Sequence, residues 1–94
     1  MDPLIEEHRD EILKLARRHG VRHVHLFGSM ARGTATVDSD VDFLVDLGET
    51  ASALDLGALL MDLQELLGRR VDVVTESALP PLLKERVLRE AVPL

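Results

Sequence analysis

Leu26-Phe27-Gly28-Ser29-Met30-Ala31-Arg32-Gly33-Thr34-Ala35-Thr36-Val37-Asp38-Ser39-Asp40-Val41-Asp42-Phe43-Leu44-Val45-Asp46 is the stretch on which the reading of this chain turns. An apolar strand end, Leu26-Phe27, gives way at once to the small pair Gly28-Ser29. A polar loop follows and leads to Ser39-Asp40-Val41-Asp42, after which an apolar run resumes at Phe43-Leu44-Val45. Two strands are predicted, Val21 to Phe27 and Val41 to Leu47. Val24 and Leu26 share one face of the first, and His23, His25 and Phe27 share the other. A Gly-Ser pair and two carboxylates are thus delivered from the facing ends of two strands.

The flanks supply the scaffold. Asp2-Pro3 reads as a helix start, with Asp as the cap and Pro in the first turn, where its missing N–H costs nothing. Ile5, Ile12, Leu15 and Ala16 lie near helical spacing, and Gly20 is a stop, so one helix is predicted from about residue 3 to 19. Ser29 to Arg32 suits a short helix ended by Gly33, and Thr34 to Ser39 a polar loop. Ser52-Ala53-Leu54-Asp55 has the form of a capping box. Leu56, Leu59, Leu60, Leu63, Leu66 and Leu67 then form a broad apolar stripe that Gly68 ends. Arg70 to Thr75 predicts a third, β-branched strand. Pro81 opens a last helix with Leu82, Leu83, Val87 and Leu88 as its buried side and Pro93 as its end. The order helix, strand, short helix, strand, helix, strand, helix predicts an α/β fold, a small mixed sheet of about three strands flanked by helices. Between the first two strands a crossover could just fit the loop. An antiparallel pairing is preferred because it gathers the polar groups.

Length and composition narrow the function classes. Ninety-four residues make one small domain, 1–94, with a modest core. Aromatic residues are only 2% against 46% hydrophobic, so that core is aliphatic. The formal net charge of −6 argues against non-specific nucleic-acid binding, which needs a basic face, but not against nucleotides bound through a cation. The absence of cysteine excludes disulfides, thiol catalysis and thiolate metal sites, and fits a cytoplasmic protein. Charges from Asp2 onward show no signal peptide, and the Leu54–Leu67 stretch is too short and too polar to span a bilayer.

Asp40 and Asp42 are two apart, so on extended chain they point to one face. Two carboxylates held close repel, and one pKa must rise unless a proton or cation lies between them. Hard oxygen donors suit Mg²⁺ or Mn²⁺. Asp72, between Val71 and Val73, would join the pair if the third strand lies beside the second. Gly28-Ser29 at the mouth of a short helix can approach phosphate oxygens, and Arg32 is either a phosphate contact or a surface charge. Each part taken singly has a plainer reading. Ser-Asp-x-Asp is an ordinary Asp/Ser turn, Gly-Ser a common one, and Asp46, Asp62 and Glu65 solvated positions. His23 and His25 share a strand face, where ligation of a metal is conceivable but a partly wet face explains them as well. Together, a phosphate-holding turn, a carboxylate pair and an isolated Asp in a valine-rich strand are what metal-dependent phosphoryl or nucleotidyl transfer requires. In that chemistry two cations about 3.5–4 Å apart clamp the attacking and leaving oxygens.

The run Leu26 to Gly33, the polar loop, and Ser39 to Val45 resemble the nucleotidyltransferase signature of the DNA polymerase β-like superfamily. The small size and the ending Val87-Leu88-Arg89-Glu90-Ala91-Val92-Pro93-Leu94 are similar to its minimal nucleotidyltransferase (MNT) subfamily. The resemblance implies the nucleotidyltransferase fold. It places phosphate-binding residues at Gly28 and Ser29, with the arginine of that helix at Arg32. It places metal-binding catalytic carboxylates at Asp40 and Asp42, and a third, metal ligand or general base, at Asp72. It implies ATP as donor with two Mg²⁺ (or Mn²⁺) ions. It implies a partner too, since such proteins pair as antitoxins with a helical HEPN-type RNase toxin, and some transfer AMP to a tyrosine of that toxin. No acceptor-holding second domain is visible, so the acceptor is expected from a partner or another copy of the chain, and the leucine-rich helix could contribute to that interface. Two other readings stand beside the enzymatic one: a non-catalytic antitoxin that neutralises its partner by complex formation, and a nucleotidyltransferase acting on a small molecule such as an antibiotic.

Overall fold

The computed structural model describes residues 1–94 and comprises helices α1 (Pro3–Glu7) and α2 (Arg9–Arg18), strand β1 (Val21–Phe27), helix α3 (Ser29–Arg32), strand β2 (Val41–Leu47), helix α4 (Ala53–Leu67), strand β3 (Val71–Thr75), a 3₁₀ turn (Glu76–Ala78), helix α5 (Pro81–Glu90) and strand β4 (Val92–Pro93). The strands form one mixed sheet in the order β3-β2-β1-β4. β1 and β2 are antiparallel, with Phe27 opposite Asp42. β2 and β3 are parallel, with Asp42 opposite Asp72, and α4 is the crossover that parallel neighbours require.

The first helix departs from the expected single run. Asp2 does cap it, accepting from Leu4 N–H at 2.9 Å. The helix then breaks at His8, whose φ and ψ are −108° and 10°. Its ring Nδ1 lies 2.8 Å from the Leu4 carbonyl, the acceptor that its own backbone N–H would use in a continuous helix. That N–H turns to Ile5 O instead, and helical bonding resumes with Ile12 N–H on His8 O. Helix α4 follows expectation: the Asp55 carboxylate accepts from Ser52 N–H at 2.7 Å, and Gly68 ends it in the left-handed region at φ 64°.

The core lies between one face of the sheet and α2 and α4. Ile12 and Ala16, Val24 and Leu26, Val41, Phe43 and Val45, and Leu59, Leu63 and Leu67 form a single buried cluster with Ile5 and Met30. Leu56, Leu60 and Leu66 pack at its margin, so most of the leucine stripe serves the core. Asp62 is not simply a solvated position, because its carboxylate lies 2.6 Å from His19 Nε2 and ties α4 to the end of α2. No helix is long and apolar enough to cross a membrane.

Helix α5 corrects the sequence reading most. Of the four residues expected on its buried side only Val87 is buried; Leu82 is 86% exposed and Leu83 and Leu88 are 45% and 46% exposed. Helical periodicity marks an apolar face but does not supply a surface to cover it. α5 ends at Glu90, short of Pro93. Val92 and Pro93 add a fourth strand, pairing with Leu26 and His25 on the free edge of β1. Pro93 is tolerated there because β4 is an edge strand. Leu63→Ala is expected to cost about 2–5 kcal/mol in urea unfolding, while Leu82→Ala stays within about 0.5 kcal/mol.

Candidate active site

The turn after β1 requires glycine on two counts. Gly28 has φ 73° and ψ −157°, and a Cβ there would stand 2.5 Å from Asp42 Oδ2. The missing side chain is what lets the β1 end and the Asp42 carboxylate lie against each other. Ser29 opens α3, a single turn anchored by the fully buried Met30 and closed by Gly33 at φ 78°. The Ser29 hydroxyl has no hydrogen-bond partner within the protein, while Arg32 at the other end of α3 has one, described below.

The loop before β2 is held without the two aspartates. Thr36 N–H donates to Ser39 Oγ at 2.8 Å, and Arg69 Nη1 donates to the carbonyls of Thr36 and Ser39 at 3.0 and 3.1 Å. Neither Asp40 nor Asp42 accepts from a backbone N–H, so of the plainer reading of Ser-Asp-x-Asp as an Asp/Ser turn only the Ser39 side-chain bond is present. Asp40 is exposed and lies 3.2 Å from Arg70 Nε. Asp42 is partly buried on the sheet face opposite Phe43, and β3 brings Asp72 beside it in register.

The electrostatics follow from that placement. The Asp42 carboxyl is raised from 3.8 to about 6, first by burial, then by the charges of Asp72, Asp40 and Glu90, with Arg32 acting against them. No three acidic or imidazole side chains converge as a ready metal centre, since Asp40 leans to Arg70 and Asp72 is exposed. The donor set nonetheless fits a hard divalent cation. Asp42 and its two neighbours are oxygen donors whose mutual repulsion a cation would relieve. His23 and His25 share the same open sheet face but recruit no third ligand.

Glu90 is the site residue that sequence reasoning does not find. It is the last residue of α5, and its carboxylate accepts from Gly28 N–H at 3.1 Å and from Arg32 Nη1 at 2.9 Å. Partial desolvation works against its ionisation. The hydrogen bonds from Arg32 and Gly28, and the charges of Arg32 and Arg86, outweigh that and lower its pKa. No local signal marks it, because 62 positions separate it from Gly28. Beside this cluster a groove runs along the open face of the sheet, lined by His25, Leu44, Thr75 and Leu88 among others. The carboxylates stand just outside it, one pleat along β2 from Leu44.

The raised pKa makes a stability statement. Asp42 holds its proton more tightly folded than unfolded, so the metal-free protein loses stability as pH rises from about 4 through 6. Asp42→Asn removes that loss. In EDTA at pH 8 the variant should be more stable than wild type by about 1–2 kcal/mol, a figure already discounted for the partial exposure of the group. The gap should close towards pH 4, as read by urea melts across the range.

Comparisons with known proteins identify the family. The family profile described as nucleotidyltransferase domain matches residues 5–94. Protein adenylyltransferase MntA of Thermococcus cleftensis is 44% identical over 92 residues, covering 98% of this chain and 90% of that protein. A protein of Methanocaldococcus jannaschii named as a candidate protein adenylyltransferase is 46% identical over 88 residues, covering 94% of this chain and 95% of that one. Among solved structures, a candidate minimal nucleotidyltransferase superposes with a TM-score of 0.86 at 49% identity, over 100% of this chain and 97% of that chain. A chain of a toxin–antitoxin crystal structure with AMP-PNP matches with a TM-score of 0.76 at 27% identity, over 89% of this chain and 69% of that chain. With the family matched along almost the whole chain, this protein belongs to the nucleotidyltransferase family and is an enzyme of that class.

Proposed function

We propose that residues 1–94 act as one minimal nucleotidyltransferase domain that transfers AMP from ATP to a hydroxyl, a tyrosine, of a HEPN-type RNase toxin, and so serves as its antitoxin. The observation that carries this reading is Asp42 in register with Asp72 on the neighbouring strand, with the Gly28 turn that follows β1 lying against the Asp42 carboxylate. The choice of a protein acceptor is supported by the relatives named protein adenylyltransferase and by the toxin–antitoxin neighbour with AMP-PNP. The HEPN identity of the acceptor rests on the resemblance of the signature.

In this reading Gly28, Ser29 and Arg32 bind the donor's phosphates. Gly28 and Ser29 let backbone and hydroxyl approach closely, and Arg32 contributes charge. Asp40, Asp42 and Asp72 would hold Mg²⁺ or Mn²⁺, which supplies charge neutralisation on the phosphates when bound. Asp72, exposed like Asp40 but not drawn aside by an arginine, faces solvent where an acceptor arrives. It takes the proton of the acceptor hydroxyl as that oxygen bonds to the α-phosphorus, and the bond from α-phosphorus to the bridging oxygen breaks to release pyrophosphate. The open groove beside the carboxylates leaves room for an acceptor supplied from outside the chain.

The test is transfer of label from α-labelled ATP to the partner. Asp40→Asn combined with Asp42→Asn should lower it by at least about 10³-fold. Transfer persisting in the folded double variant would sink the assignment. Loss of label with neutralisation intact would instead make complex formation the means of antitoxin action.

A further inference from the structure

Glu90 occupies two of the three groups assigned above to the donor's phosphates. One carboxylate oxygen takes the Gly28 N–H at 3.1 Å and the other takes Arg32 Nη1 at 2.9 Å. Two anionic oxygens on one centre, one on a backbone N–H and one on a guanidinium, present what a phosphate group presents to the same donors. A phosphate oxygen and this carboxylate cannot both take the single Gly28 N–H, and they compete for Arg32.

The surroundings make exchange a side-chain event. The backbone is fixed on both sides of Glu90. Ala91 N–H bonds to Val87 O at 2.9 Å, Val92 pairs with Leu26, and Leu94 N–H bonds to Val24 O at 2.9 Å. Arg9 adds a bond to Leu94 O at 3.0 Å from the opposite end of the chain. The side chain is 22% exposed, so water reaches the carboxylate. Rotation about its own torsions therefore frees Gly28 and Arg32 without moving α5 or β4.

We propose that Glu90 is an internal phosphate surrogate: it holds Gly28 N–H and Arg32 when the site is free of nucleotide, the triphosphate of the donor displaces it, and its return helps to expel pyrophosphate. Glu90 is then a residue that sets nucleotide affinity and touches neither the α-phosphorus nor the acceptor. The inference rests on the assignment of Gly28 and Arg32 to phosphate binding. It explains why an anionic side chain is spent on a site already crowded with carboxylates.

Calorimetric titration with Mg²⁺ and α,β-methylene-ATP, and separately with inorganic tripolyphosphate, decides the matter. Glu90→Gln keeps an acceptor for Gly28 but removes the charge that competes for Arg32. It should bind both probes about tenfold tighter than wild type. Glu90→Asp restores the charge and should move affinity back towards wild type. In turnover the Gln variant should show a lowered KM with stronger inhibition by pyrophosphate and no gain in kcat. Were Glu90 only a structural tie for the Gly28 turn, the Gln variant would bind more weakly; equal or weaker binding by folded Glu90→Gln overturns the proposal. Should that variant fail to fold, nuclear magnetic resonance of wild type gives the answer. The Glu90 carboxyl and Gly28 amide signals should move together on saturation with tripolyphosphate, and an unmoved Glu90 carboxyl overturns it. Wild type binding neither probe would remove the nucleotide-binding reading and this inference with it. Wild type binding normally while Glu90→Gln gains nothing would remove this inference alone.

Discussion

The hydrogen bonding of β2 on both its edges is the constraint on which the rest depends. Antiparallel pairing with β1 sets Phe27 across from Asp42, and parallel pairing with β3 sets Asp72 on its other side. Side chains alternate along a strand, so a slip of one residue would bury Asp42 and expose Phe43. Val41, Phe43 and Val45, buried beneath α2 and α4, forbid that slip. The apolar core thereby fixes where the charges go. Three carboxylates share a region of the surface because the apolar residues next to them along β2 and β3 point into the core.

That arrangement sits uneasily in the absence of a ligand. Asp42 is pressed into partial burial against like charges, and Gly28 holds a backbone conformation other residues avoid. Groups placed against their own electrostatic preference are characteristic of functional sites. The protein moderates the conflict at its margins: Arg70 draws Asp40 aside, and Arg32 offsets part of the field at Asp42 while pairing with Glu90.

The two faces of the sheet are treated differently, and this shapes what the molecule can do. One face carries α2, α4 and the main cluster. The other carries Leu44, buried apart from that cluster, the carboxylates, two histidines and an open groove beside α5. A domain this small can stabilise itself on one side and leave the other for ligands. The leucines of α5 that remain exposed show the same division, for they lie on a helix with too little sheet to cover.

Much of the geometry of the candidate site was legible in the residues because its signals are local. Strand periodicity, the Gly-Ser turn, the spacing of Asp40 and Asp42, the Asp2 cap and the Ser52–Asp55 box each depend on neighbours a few positions away. Each appears where chain geometry alone would put it. The antiparallel pairing was inferable because it alone brought the polar groups together. What lay beyond reach was settled by distant partners. A histidine ring competing for one carbonyl broke the first helix. A free edge on β1 turned Val92 and Pro93 into a strand. A sheet too narrow for α5 left its leucines exposed, and the end of α5 placed Glu90 on Gly28 and Arg32. Sequence determined which segments are strands and helices and which carboxylates share a face, since backbone geometry repeats over two or four residues. Only the tertiary structure decided which charges meet and which apolar faces are covered, since those outcomes depend on surfaces that exist only after the chain has packed.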